Sequence, residues 1–106
     1  MTKILDVCIV DASETWRTVI KEVLCRELKK YGVTSCVSEY SSPEQLRQVD
    51  RQRLSYDLLM ADISDAVTRK SDLDYYGSLC QDNSSMRLIF LASDPIAALD
   101  VFDYDT

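Results

Sequence analysis

Two aspartates carry the chemistry on offer in this sequence. Asp11 follows the apolar stretch Ile4-Leu5-Asp6-Val7-Cys8-Ile9-Val10, and Asp62 closes the run Tyr56-Asp57-Leu58-Leu59-Met60-Ala61. Each is a carboxylate delivered at the downstream end of a short apolar segment. In an open parallel sheet, ligands and reacting groups gather at such ends. Two carboxylates brought together repel unless a cation lies between them, and an all-oxygen ligand set suits Mg²⁺ or a similar hard ion. Beside such an ion, one of the pair is a competent nucleophile toward a phosphoryl group. Taken alone, Asp62 has a plainer reading as the cap of the turn that follows, a position Asp favours.

The remaining inventory narrows the chemistry. The chain has no histidine, which removes His-based triads, His metal sites and a phosphohistidine-carrier role. Its two glycines, Gly32 and Gly77, cannot build a Gly-rich phosphate loop. The four cysteines, Cys8, Cys25, Cys36 and Cys80, have no Cys-x-x-Cys spacing, and three lie on or beside apolar stretches. They read as buried free thiols of a reducing compartment. A formal charge of −6 argues against nucleic-acid binding by this domain itself, because gripping phosphates needs Lys and Arg. No apolar run is long enough to cross a bilayer, and residues 1–10 do not form a basic-plus-apolar leader, so the expectation is a cytoplasmic protein without a membrane role.

The elements that must position the two aspartates follow from patterning. At 106 residues, 46% of them hydrophobic, residues 1–106 read as one domain. Residues 4–10 are nearly continuous in apolar side chains, as a strand buried on both faces should be. Ser13 can cap a helix over 14–31, with Glu14 in its first turn and Gly32 as its stop. On that helix Trp16, Ile20, Leu24 and Leu28 form an apolar stripe flanked by Val19 and Val23, opposite Arg17, Lys21, Arg26 and Lys29. This places Trp16 in the core. Residues 33–40 form a weaker strand suited to a sheet edge. Ser42 and Gln45 have capping-box spacing around Pro43, starting a helix to about residue 54. The stretch 56–63 is the third strand, 65–71 a loop, and Leu73, Tyr76 and Cys80 mark a short third helix interrupted by Gly77. Residues 86–92 form the fourth strand, after which Asp94-Pro95 opens a fourth helix. Tyr75 and Tyr76 read as packing residues, and Arg47, Arg51 and Arg53 as a solvated helix face.

Four strand–helix alternations specify a parallel sheet with helices on both faces, an α/β doubly wound architecture of strand order 2-1-3-4. The first and third strands are then neighbours, and Asp11 and Asp62 meet at the topological switch point. Without a further strand, 86–92 is an apolar sheet edge. The expectation is that a homodimer, a swapped oligomer or a rearranged tail covers it.

The chain resembles the receiver domains of two-component response regulators along its whole length. The resemblance rests on Ile9-Val10-Asp11, on Tyr56-Asp57-Leu58-Leu59-Met60-Ala61-Asp62-Ile63, and on Leu88-Ile89-Phe90-Leu91-Ala92-Ser93. The tail Ile96-Ala97-Ala98-Leu99-Asp100-Val101-Phe102-Asp103-Tyr104 looks most like receivers of the LytTR class, whose full proteins carry a DNA-binding output domain and regulate transcription. The resemblance implies a flavodoxin-like fold and a non-enzymatic role in phosphorelay signal transduction. Asp62 matches the phosphoacceptor, which takes its phosphoryl group from a histidine kinase. Asp11 matches an acidic pocket residue, and the backbone carbonyl of Ser64 matches the third protein ligand of Mg²⁺.

Three departures bear on function. The family has two adjacent acids after the first strand, and here the second is Ala12, which weakens Mg²⁺ binding. The fourth strand usually ends in the switch Thr or Ser; Ala92 stands there, with Ser93 one residue later. The fifth strand, with its Lys, and the fifth helix are missing, so the expectation is an N-terminal fragment of a longer regulator. These departures make the alternative a degenerate pseudo-receiver that serves as a phosphorylation-independent interaction module. A small phosphatase of the haloacid-dehalogenase kind and a flavin binder are weaker rivals, lacking the second Asp and the Gly-rich loop respectively.

Overall fold

In the computed structural model, the structure describes residues 3–49, 56–65, 67–82 and 85–91. The first strand, β1, is Lys3–Val10, followed by α1 (Glu14–Lys29) and β2 (Val33–Tyr40). Next come α2 (Pro43–Arg47), β3 (Leu58–Asp62), α3 (Arg69–Asp82) and β4 (Arg87–Leu91). All strand pairs are parallel and the order is β2-β1-β3-β4, so the chain has a flavodoxin-like α/β fold.

Local chemistry sets the helix ends. The Ser13 side chain accepts from the Trp16 N–H, with Glu14 in the first turn and Arg26 and Lys29 in the last, the charge order a helix dipole favours. Gly32 then takes a φ of +71°, a left-handed turn that a side-chain-bearing residue would resist. At α2, the Ser42 hydroxyl accepts from the Gln45 N–H at 3.3 Å. The Gln45 amide oxygen reaches back to the Ser41 N–H at 2.8 Å, one residue upstream of a standard capping box.

The main core lies on one face of the sheet. Register aligns Cys8 with Leu59 and Leu88, and Val10 with Ala61 and Phe90. Leu46 of α2 and Tyr76 and Leu79 of α3 pack against this face, together with Met86. The opposite face carries Leu5, Val7 and Ile9. Their β2 partners Ser35, Val37 and Glu39 lie toward α1, whose Cys25 meets Ser35 at 2.8 Å and whose Arg17 meets Glu39 at 3.4 Å. Helix α1 therefore covers the β2 side of its face.

Several expectations change. Trp16 is not core: it is 61% exposed, and no residue of α1 is fully buried. Arg17, expected on the solvent side, is instead drawn inward, donating to the Asp11 carbonyl and pairing with Glu39, while Lys21 reaches Glu39 at 3.9 Å. These polar anchors roll the helix so that Ile20, Leu24 and Leu28 are half-buried while Val19 and Val23 stay exposed. Helix α3 begins at Arg69, inside the expected loop, and runs 14 residues straight through Gly77. Helix α2 has 5 residues. Its expected extension over 50–54 lies outside the described residues, as do Ala92, Ser93 and the fourth helix. Among the cysteines Cys8 is buried, Cys25 and Cys80 are half-buried and Cys36 is exposed; all four are free thiols.

Candidate functional site

Strand β1 lies between β2 and β3, so the connections leaving β1 and β3 diverge at their shared C-terminal edge. This is where such a sheet opens a crevice. Asp11 leaves β1 with its N–H bonded to the Tyr40 carbonyl at 3.1 Å. Its Oδ1 accepts from the Ser13 N–H at 2.9 Å, so the carboxylate shapes the turn into α1. Asp62 ends β3, and its Oδ1 accepts from both the N–H and the hydroxyl of Ser64. The plain turn-capping role is thus real for both residues, and among the described residues it engages one oxygen of each carboxylate.

The structure brings Asp11 and Asp62 together at one rim. Both line a hollow of about 610 Å³ whose other walls are Ala12, Ser13, Trp16, Ile20, Ser64, Phe90 and Leu91. Both also line a smaller hollow of about 190 Å³ beside Glu44, Asp65, Thr68 and Asp72. One rim is therefore apolar on the α1 side and strongly acidic on the α2–α3 side. Asp72 shows the electrostatic cost. Burial pushes its carboxyl above the usual range; the Thr68 hydroxyl, donating at 2.9 Å, acts the other way, Glu44 and Asp65 add to the rise and Arg47 opposes it. Burial likewise pushes the Cys8 thiol up to about 12, which leaves it an inert core side chain despite its place on β1.

The loop after Asp62 is held by a residue to which sequence reading gave no role. Arg69 is 5% exposed; its Nε donates to the Ile63 carbonyl at 2.8 Å and its Nη2 to the Ser64 carbonyl at 3.2 Å. Nothing in the sequence separates Arg69 from its neighbour Lys70. Which of the two turns inward depends on where α3 begins, and it begins at Arg69, inside the segment that the sequence pattern marks as loop. Trp16, a core residue by its helical spacing, instead walls the crevice.

The donors present can be tested against Mg²⁺. This ion often binds through one or two carboxylates and keeps several waters, a demand that Asp11 and Asp62 fit. The Ser64 carbonyl already accepts from a guanidinium, whose positive charge opposes a dication at that oxygen. Among the described residues no group of three or more His, Cys, Asp or Glu side chains is arranged to hold a metal. Ala12 supplies no oxygen from its side chain. Among those residues also, no helix is long and apolar enough to cross a membrane. No protein-family model, curated protein or solved structure matches this chain.

Proposed function

We propose that this chain is a receiver-type signalling module that accepts a phosphoryl group on Asp62, with a histidine kinase as donor. The observation that carries the reading is the convergence of Asp11 and Asp62 on one crevice at the junction of β1 and β3. Since Oδ1 of Asp62 is engaged by Ser64, attack falls to Oδ2. A new P–O bond forms an acyl phosphate, the P–N bond to the donor imidazole breaks, and the departing ring nitrogen takes up a proton. Asp11 and Asp62 would hold Mg²⁺, which would supply charge neutralisation for the phosphoryl oxygens. Ser64 orients the nucleophile, and Arg69 fixes the backbone that carries Ser64. Phosphorylation then acts by biasing the loops around the rim.

A second reading has its own support. Ala12 removes one acidic ligand, and the guanidinium on the Ser64 carbonyl stands where a metal-binding loop would offer a free oxygen. Both features favour a module that binds partners without phosphorylation. Acetyl phosphate with Mg²⁺, followed by intact-mass measurement, separates the two. The first reading expects the mass of one phosphoryl group, lost in Asp62→Asn and formed about tenfold more slowly in Asp11→Asn, the scale on which weakened metal binding acts. An unchanged mass in the parent chain favours the second.

A further inference from the structure

Helix α1 covers only part of its sheet face. On the β3–β4 half of that face, Ile89 is 44% exposed and Met60, its β3 partner, is half-buried. Along α1, Trp16, Ile20 and Val23 form a ridge at helical spacing, with Trp16 61% and Val23 43% exposed. Trp16 and Ile20 wall the 610 Å³ hollow together with Leu91, and Asp11 and Asp62 line it as well. A strip bounded by a helix on one side and floored by a sheet is the kind of space into which a second helix packs, at an interaxial distance of roughly 8–10 Å.

We infer that this strip is the docking surface for an amphipathic, basic helix of another protein, its apolar side against Trp16, Ile20, Met60 and Ile89 and a Lys or Arg reaching Asp11 and Asp62. Charge selects the occupant. Two carboxylates line the hollow and, among the described residues, no Lys or Arg does. A second copy of the chain brings a net charge of −6 to a carboxylate-lined rim. The chain's own segment 92–106 contributes Asp94, Asp100, Asp103 and Asp105 and no basic residue. Both are mismatched to the site, whereas a cationic helix with one apolar face complements it. This inference does not rest on phosphoryl transfer: a chain that never gains the phosphoryl mass still docks such a helix.

Trp16 is the single tryptophan of the chain and so reports on the surface directly. The test titrates the full chain with a synthetic Leu/Lys amphipathic helix and with a Leu/Glu helix of equal length, following Trp16 emission and its quenching by acrylamide. The inference expects a blue shift and reduced quenching with the Leu/Lys helix alone, and affinity at least about tenfold weaker in Asp11→Asn/Asp62→Asn and in Ile89→Glu. Residue 89 is exposed, so Ile89→Glu should keep the parent melting temperature, which separates lost docking from lost folding. Equal responses to both peptides, or a Leu/Lys response unchanged by these substitutions, overturn it. Trp16 already shielded in the dilute, peptide-free chain identifies the 92–106 segment as occupant, and shielding that grows with protein concentration identifies a second copy; either also overturns it.

Discussion

Arg69 and Lys70 are adjacent basic residues with opposite fates, one buried and one exposed. Arg69→Met leaves the Ile63 and Ser64 carbonyls without this donor beneath the candidate site. Hydrogen bonds from a charged group are worth roughly 1.5–3 kcal/mol, so the variant should lose about 2 kcal/mol, read as a lower urea midpoint at unchanged slope. Lys70→Met should stay within about 0.5 kcal/mol of the parent, and equal losses would refute the anchoring role. Tyr76 behaves in the opposite sense. It is fully buried, and its hydroxyl has no hydrogen-bond partner among the described residues. Tyr76→Phe should therefore raise stability by about 1 kcal/mol, since an unsatisfied buried polar group costs about that much. Asp72 adds a pH dependence. Burial raises its folded pKa above the unfolded value, so its contribution to stability is full below the ordinary carboxylate range and lost as pH rises through the folded value. Asp72→Asn should melt higher than the parent at neutral pH, with the gap closing in acid. A gap that widened in acid would reverse the assigned sign.

At the scale of elements, the two faces of β3 are unequal. Leu59 is 1% exposed within the main core, whereas Met60 faces the partly open side. Leu59→Ala should cost about 3 kcal/mol, as buried Leu truncations do, and Met60→Ala less than half of that in the same denaturation experiment. The same inequality explains how much was legible in the sequence. Residues 33–40 gave β2 its exact span, because Gly32 before it and the Ser42-Pro43 cap after it punctuate the backbone locally. Gly77 disfavours a helix interior by about 1 kcal/mol, so local sequence predicts a shorter α3 than the structure has. Burial of Leu73, Tyr76 and Leu79 along one side outweighs that local cost, and sequence alone does not show this burial. The apolar stripe on α1 was real, but its rotation is set by Arg17 and Lys21 meeting Glu39, a contact between elements that no spacing within the helix encodes.

For the whole molecule, strand order was the accessible property and crevice chemistry the harder one. Alternating apolar runs and helix caps demanded a parallel sheet, and the observed order β2-β1-β3-β4 places Asp11 and Asp62 at its switch point. What sequence could not supply was the set of contacts that hold the Asp62 end of the crevice: Ser64 on the Asp62 carboxylate and Arg69 on the carbonyl behind it. These contacts depend on how the β3–α3 loop closes. The proposed function requires the ends of β1 and β3 to work as one site. Its most direct test is an amide NMR spectrum of the chain before and after addition of beryllofluoride with Mg²⁺, compared with Asp62→Asn. The signals of Asp11, Ala12 and Ser13 should shift together with those of Ile63 and Ser64, and none of these shifts should occur in the variant. Shifts confined to one strand end, or preserved in Asp62→Asn, would show that the two ends are not coupled.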